Sequence, residues 1–240
     1  MRYTAEEYWD RRIEEWESSA YLLGDVRPSI HELVATLFRA DAVKERLKVA
    51  MRLLKPIVPG RTVLDLGCGG GNPSLALLKH GAEKVIGVDV SGKALDIAER
   101  RAEALNLKDR LVLIQGDVRT MELPATDITI SLGLFDYLKP EEVRSLISRF
   151  KSHTMLVSFT RLDPKISLAL QKLYHKALGC PRLYFHTPTN IANFLLERGY
   201  SGIRVSTHKS MKLGTIVHNI QKREEKSRAR SKSQLTKNMV

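Results

Sequence analysis

The spacing of apolar and polar positions divides the chain into a helical N-terminal part and a longer part that alternates short apolar runs with helical stretches. Residues 4–19 have helix-like spacing, and Thr4 followed by Glu7 forms a capping-box signature at their start. Pro28 suits the first turn of a second helical stretch, which extends to about Lys55 as one helix or as two with a joint near Asp41. We therefore expect helices before the first strand.

After Gly60 the pattern changes to short continuous apolar runs separated by amphipathic stretches. Strands are predicted at 62–66, 84–88, 111–115, 128–132 and 154–159, with helices at 72–80, 93–106 and 140–150 between them. Apolar strands joined by helices are typical of a parallel sheet that is covered on both faces. The fold class is therefore predicted as α/β, with a doubly wound, mostly parallel sheet.

The C-terminal part adds helices and two further strands. We expect one helix between Asp163 and Gly179, another at 189–198, and strands at 202–207 and 214–220. A short loop joins these two strands, which makes them antiparallel. The sheet is then seven-stranded, with an antiparallel last strand.

This organisation predicts three regions. Residues 1–55 form an N-terminal helical lid or extension, 56–221 form the main domain with an insertion at 161–186, and 222–240 form a basic tail. The tail carries seven Lys or Arg and two Glu, so it holds only part of the formal net charge of +12. With few large apolar residues it is expected to be disordered.

Composition excludes several classes of protein. The chain has 240 residues, of which 43% are hydrophobic, and no apolar run approaches the roughly 20 residues that span a bilayer. The N-terminus lacks the apolar stretch of a secretory signal. Two cysteines, Cys68 and Cys180, are too few for a disulfide framework or a structural zinc site. We expect a cytoplasmic protein without a metal ion or a membrane span.

Three strand ends carry chemistry that suits a nucleotide. The first strand runs into VLDLGCGGG at 63–71, and a glycine-rich turn lets a ligand lie against bare backbone. Asp89 ends the second strand, where a carboxylate can accept hydrogen bonds from both hydroxyls of a ribose. QGDV at 115–118 ends the third strand and offers an acid beside an apolar residue, which suits an adenine ring.

Each motif alone also has a structural interpretation. Glycines are common in tight turns between strand and helix, Asp89 could cap the next helix, and Asp117 could be an ordinary loop acid. Their order and their shared position at strand ends favour a ligand site at the carboxyl edge of the sheet.

With these motifs the chain resembles the class I S-adenosylmethionine-dependent methyltransferases over about residues 45–220. The resemblance implies a Rossmann-like methyltransferase fold and S-adenosylmethionine as the cofactor. It also implies that Asp65 and Gly67 organise the methionine end, that Asp89 binds the ribose, and that Asp117 with Val118 binds the adenine. The full set of residues expected to bind the cofactor is Asp65, Gly67, Cys68, Gly69, Asp89, Val90, Gly116, Asp117, Val118, Leu132 and Gly133.

The C-terminal third also resembles the magnesium-protoporphyrin O-methyltransferases in its layout, with an insertion that ends in an aromatic-x-His element at 184–186. That group has a histidine before a tyrosine after the fourth strand, whereas this chain has Phe135-Asp136-Tyr137. The resemblance therefore implies the fold and the donor, and not the acceptor.

Methyl transfer to oxygen or nitrogen can require a base, so titratable residues near the acceptor are candidates for catalysis. They are Asp136, Tyr137, His186 and His31. The leading hypothesis is an enzyme that methylates an oxygen or nitrogen of a small molecule, acidic or aromatic in character. An RNA or other nucleic-acid methyltransferase that uses the basic surface is the alternative, and a binding module or a dinucleotide oxidoreductase fits the motifs less well.

Overall fold

The computed structural model describes residues 4–21, 43–160, 184–207 and 214–221, except for the side chains of residues 15–21. The candidate His31, most of the insertion at 161–186 and the tail at 222–240 lie outside these described residues. Among the described residues, no helix is both long enough and apolar enough to cross a membrane.

The described strands form one sheet in the order β3-β2-β1-β4-β5-β7-β6. Their bounds are β1 Thr62–Leu66, β2 Lys84–Asp89, β3 Leu111–Gln115, β4 Ile128–Leu132, β5 Thr154–Thr160, β6 Arg204–Ser206 and β7 Gly214–His218. β1 to β5 pair in parallel, and β7 runs antiparallel to both β5 and β6. The predicted seven-stranded, mostly parallel sheet with an antiparallel last strand is confirmed.

Helices surround the sheet. Their bounds are α1 Ala5–Tyr21, α3 Asn72–Lys79, α4 Gly92–Ala104, α5 Pro140–Ser148 and α6 Pro188–Glu197, and the described part of α2 spans residues 43–54. The predicted capping box at the start of α1 is present, because the Glu7 N–H donates to the Thr4 hydroxyl and the Thr4 N–H donates to the Glu7 carboxylate. Element ends lie within about two residues of their predicted positions, the usual uncertainty of helix and strand ends.

The strands bury side chains on both faces, which explains their continuous apolar runs. In β1, Val63 packs into one core together with Leu54 of α2, whereas Leu64 and Leu66 pack into the opposite core with Phe135. α2 is thus built into the core of the sheet domain. Two 3₁₀ turns, Lys108–Arg110 and Leu134–Tyr137, complete the connections. The second follows β4 directly at the carboxyl edge, where the candidate site lies.

Candidate functional site

The turn after β1 keeps its backbone close to neighbouring strand ends. The amides of Gly67 and Cys68 both donate to the Val88 carbonyl of β2, at 2.8 and 3.0 Å. Gly67 has a φ of +71°, and a Cβ placed there would lie 3.0 Å from Cβ of Leu134. Only glycine tolerates this left-handed backbone and also leaves room for Leu134. The turn after β1 and the turn after β4 are therefore in close contact at Gly67.

Cys68, although it lies within this turn, belongs to the scaffold. Its side chain is buried, and a Cβ added to Gly87 of β2 would lie 2.9 Å from its sulfur. The sulfur therefore packs against bare strand backbone, and the contact of Cys68 with the cofactor stays a prediction.

Asp89 is held in place at the end of β2 by two backbone donors. Its Oδ2 accepts from the Gly69 N–H at 2.9 Å and its Oδ1 from the Ser91 N–H at 3.0 Å. Burial raises the pKa of Asp89, and these N–H groups oppose that rise because they favour the ionised form. Each carboxylate oxygen can accept a further hydrogen bond, so the group suits a pair of hydroxyls. The cap of α4 is Ser91 and not Asp89, since the Ser91 hydroxyl accepts from the Ala94 N–H.

Asp65 is a fully buried carboxyl group below the same turn. Its Oδ2 accepts from the Ser74 hydroxyl at 2.7 Å, whereas its Oδ1 has no hydrogen-bond partner among the described residues. Desolvation raises the pKa of Asp65 to about 7; the Ser74 hydrogen bond opposes the rise, and the charge of Asp89 adds to it. A buried carboxyl with an unpaired oxygen fits a ligand that brings a cation, such as an ammonium group.

Two arginines bind polar groups that follow the end of β3. The Asp117 carboxylate pairs with Arg119 at 2.6 Å, and this hydrogen bond lowers the pKa of Asp117. Val118 is buried in the core, and its carbonyl accepts from Arg149 at 2.6 Å. The Gly116 N–H donates to the Asp89 carbonyl at 2.9 Å, which brings the third motif against the second.

After β4 the chain passes through Leu132 and Gly133 into the 3₁₀ turn that carries Asp136. This carboxyl group is buried and ties β4 to β5: Oδ1 accepts from the Thr160 N–H at 2.6 Å and Oδ2 from the Thr160 hydroxyl at 3.0 Å. Burial raises the pKa of Asp136, and the Arg46 charge opposes the rise. A role as a proton acceptor would compete with both hydrogen bonds.

His186 is buried beneath the same 3₁₀ turn. Its Nε2 lies 2.8 Å from the Phe135 carbonyl and 3.2 Å from that of Leu138. Because carbonyls only accept, Nε2 carries a proton. The ring also meets Phe135 and Phe159 edge-on. The histidine thus anchors the turn, and only Nδ1 could serve a reacting group.

Helix α1 lies against this edge of the sheet. The Ser91 hydroxyl donates to Asp10 at 2.6 Å, and the Gln115 side chain donates to Glu6 at 3.1 Å. Trp9 meets the Tyr137 ring edge-on, with their centroids 5.1 Å apart. The helix therefore touches the ends of β2 and β3 and the turn after β4.

The structure brings most of the predicted site residues together at one edge, and it adds partners that the motifs did not indicate. The added partners are Ser74, Ser91, Arg46 and Asp10. Ser74 and Ser91 follow the motifs at the starts of helices and could have been suspected as polar neighbours. Asp10 and Arg46 carry no sequence signal, because they are two among many charged residues on amphipathic helices. No group of three or more His, Cys, Asp or Glu side chains within the described ranges could hold a metal ion.

Comparison with known proteins agrees with this geometry. Residues 63–155 match a family described as a methyltransferase domain. This part of the chain therefore matches a methyltransferase domain, which supports the resemblance to the class I S-adenosylmethionine-dependent methyltransferases. The magnesium protoporphyrin IX methyltransferase of Synechocystis PCC 6803, solved with bound SAH, has the same fold. Its TM-score is 0.67 at 21% identity, over 89% of this chain and 96% of that one.

Curated relatives match shorter stretches. Protein arginine N-methyltransferase 1 of Saccharomyces cerevisiae is 31% identical over 50% of this chain and 34% of its own length. The ribosomal protein L11 methyltransferase of Alteromonas mediterranea is 48% identical over 45% of this chain and 36% of its own. The chain thus spans about a third of the length of these two relatives, so they indicate the methyltransferase domain and leave the acceptor open.

Proposed function

We propose that the chain transfers a methyl group from S-adenosylmethionine to an oxygen or nitrogen of a small-molecule acceptor. The observation that carries the proposal is Asp89, whose carboxylate is fixed at the end of β2 by the Gly69 and Ser91 amides. It lies within residues 63–155, the stretch that matches a methyltransferase domain.

The residues at the edge fit the parts of this donor. Asp89 would bind the ribose hydroxyls, and Asp65, with its unpaired buried oxygen, would face the ammonium of the methionine end. The adenine would lie at Asp117 and Val118, once the Asp117 carboxylate shares its pairing with Arg119. The remaining contacts come from Gly67, Cys68, Gly69, Val90, Gly116, Leu132 and Gly133.

The donor supplies an already activated methyl group on its sulfonium, so the protein mainly orients the two reactants and excludes water. Tyr137 lies at the end of the 3₁₀ turn after β4 and touches Trp9 of α1, so it would line the acceptor side. Asp136 and His186 hold this turn through Thr160 and the Phe135 carbonyl. Their expected roles in proton transfer stay predictions, as does that of His31.

The position of α1 favours a small acceptor. This helix covers the rim with Glu6 and Asp10, whose carboxylates would repel the phosphates of a nucleic acid. We propose that residues 1–55 are the N-terminal extension that includes this lid, that 56–221 form the S-adenosylmethionine-binding methyltransferase domain with its insertion at 161–186, and that 222–240 are a separate basic tail.

A protein acceptor is the second candidate, and the names of the relatives favour it. The two matched enzymes are a protein arginine methyltransferase and a ribosomal protein methyltransferase. Incubation with S-adenosylmethionine labelled in its methyl group and cell extract separates the possibilities. Label in the small-molecule fraction supports the proposal, whereas label that protease or nuclease digestion alone releases refutes it.

The Asp89→Ala variant tests the donor site directly. Loss of two charged hydrogen bonds should weaken S-adenosylmethionine binding by a few kcal/mol at most, roughly 2–3. Asp96→Ala is the matched control, because Asp96 is an exposed acid on the helix that follows. Calorimetric affinities that agree between the two folded variants would contradict the ribose assignment.

A further inference from the structure

The outer surfaces of α3 and α4 form a groove of about 320 Å³ that includes none of the residues expected to bind the cofactor. On α3 its lining positions are spaced i, i+3, i+4 and i+7, and on α4 they are spaced i, i+3 and i+4, so each helix contributes one continuous stripe. We call this surface the α3–α4 groove. Its lining residues are Asn72, Leu75, Ala76, Lys79, Arg101, Ala104 and Leu105.

The floor of the α3–α4 groove is apolar. Leu75 is buried there, whereas Leu105 leaves 41% of its surface exposed. Leu105 is one of three large apolar residues that are exposed within the described ranges, and the other two, Leu196 and Val205, do not line the groove. A concave apolar surface beside an exposed leucine is typical of a contact with a partner.

Two cations stand at the two ends of this floor. Arg101 lies at the end where α3 begins, because its Nη1 donates to the Gly70 carbonyl at 2.8 Å. Lys79 lies at the other end, exposed in the last turn of α3. Asn72 and Lys79 are seven residues apart on this helix, so the floor between the cations is about 10 Å long. This length corresponds to two turns of a helix.

The nearby acids of α4 lie on a different side of that helix. Glu99 and Glu103 are each two positions from Arg101, which is about 160° around an α-helix. Both acids pair with Lys108. None of the described residues that line the groove is acidic. The groove therefore complements an occupant that is apolar along one side and acidic at both ends.

We propose that the α3–α4 groove binds an acidic amphipathic helix of another protein. Apolar side chains one turn apart on that helix would cover Leu75 and Leu105, and acids on either side of them would pair with Arg101 and Lys79. A nucleic acid would bring phosphates to both cations and leave the apolar floor uncovered. The groove is an interaction surface beyond the proposed methyl transfer, which does not require it.

Photo-cross-linking from the rim of the groove tests whether such a partner binds. Benzoylphenylalanine is placed in the full chain at position 104, where Ala104 is exposed, and at position 141 as the control, where Glu141 is exposed on α5. The proteins are irradiated in an extract of cells of the chain's own organism. Position 104 should form an adduct with an acidic amphipathic segment of another protein, and position 141 should not.

A synthetic peptide with the cross-linked sequence then tests the charge complementarity by fluorescence anisotropy. Lys79→Glu should bind it about tenfold more weakly than the wild type, because repulsion replaces attraction. Lys44→Glu is the matched control, since Lys44 is exposed on α2 outside the groove. A peptide in which the acid that faces Lys79 is changed to lysine should reverse the order and bind Lys79→Glu more tightly than the wild type.

The apolar floor is tested in the same assay. Leu105→Ala should weaken peptide binding about tenfold, because this side chain is covered in the complex. Leu196→Ala removes an equally exposed leucine from α6 and should leave the affinity unchanged. Both side chains are exposed in the free protein, so both variants should melt as the wild type does.

Several results would overturn the proposal. They are no adduct from position 104 above the control, an adduct only with a nucleic acid or with a second copy of this chain, a cross-linked segment without acids, and equal affinity of the peptide for wild type and Lys79→Glu. Calorimetry with S-adenosylmethionine keeps the two proposals apart. If the wild type failed to bind this donor, the proposed function would be refuted, whereas the proposal for the groove depends on the adduct and the peptide alone.

Discussion

The buried acid Asp65 should make the free protein less stable as pH rises from acid to neutral. Burial raises the pKa of Asp65 from 3.8 to about 7. Between these values the folded chain holds a proton that the unfolded chain has released, so each rise in pH favours unfolding. The stabilisation is complete below the unfolded value and is lost as pH rises through about 7. Since one pH unit is worth about 1.4 kcal/mol for one proton, the total is about 4 kcal/mol.

Denaturant unfolding of wild type and Asp65→Asn between about pH 5 and 8 measures this effect. The asparagine can still accept from the Ser74 hydroxyl and does not titrate. The difference in unfolding free energy between the two proteins should move by a few kcal/mol in favour of the variant as pH rises. The other buried acids are common to both proteins and cancel. Parallel curves would show that Asp65 is not protonated in the folded chain, and the reasoning would fail.

The matched control is Asp127→Asn. Hydrogen bonding from the Thr62 N–H lowers the pKa of Asp127, so its contribution has the opposite sign and is lost as pH falls. The difference in unfolding free energy between this variant and wild type should shrink as pH falls through the acid range and should stay constant above about pH 6.

The affinity for the donor should also depend on the protonation of Asp65. The ammonium of S-adenosylmethionine favours ionised Asp65, so affinity should rise by up to about tenfold per pH unit below pH 7 and then level off. 5′-Methylthioadenosine keeps the ribose and lacks the ammonium, so it should lack this dependence, as should Asp65→Asn with either ligand. Equal pH profiles for the two ligands on wild type would contradict the placement of the ammonium.

Two further predictions concern packing and the lid. Gly71 has a φ of +78° and its added Cβ would lie 2.8 Å from Cβ of Ala98, so Gly71→Ala should lower the unfolding free energy by about 2–3 kcal/mol. Gly60→Ala has a similar φ of +67° with nothing within 4 Å, so it should cost only about 1 kcal/mol, and equal losses would contradict the packing argument. Deletion of residues 1–20 removes the α1 contacts and should leave donor affinity within about tenfold, or 1.4 kcal/mol, while it abolishes turnover. Methylation of the acceptor at the full rate would show that α1 is only scaffold.

The sheet could be predicted because its signal is repeated and local. Five apolar runs alternate with amphipathic stretches, and each run points to the same buried parallel sheet. The position of the donor motifs could be predicted equally well. Parallel strands end at one edge of the sheet, so Asp65 and Asp89 were expected to lie at the same edge. The 3₁₀ turn Leu134–Tyr137 was not predicted, because its start depends on the left-handed Gly133 and on the packing of Phe135 and not on periodicity.

The partners of the motif residues could not be predicted in the same way. Ser74 reaches Asp65 from nine positions along the chain, and Thr160 reaches Asp136 from twenty-four. Such pairs depend on which strand ends become neighbours in space. The same limit applies to His186, whose Nε2 lies against the Phe135 carbonyl, a contact that no motif indicated; its role in the reaction stays a prediction. A sequence shows that a histidine is present, whereas its hydrogen bonds depend on the folded turn around it.

The two N-terminal helices contribute to the site by different physical means. α2 buries Val49 and Leu54 in the sheet core, so the position of Arg46 is as rigid as the core that carries it. α1 reaches the rim through the side chains of Glu6, Trp9 and Asp10. Polar contacts at a solvated rim contribute little net free energy, and water can replace them. We therefore propose that α1 is the cover that opens for each acceptor, whereas the core packing of α2 keeps Arg46 in a fixed position.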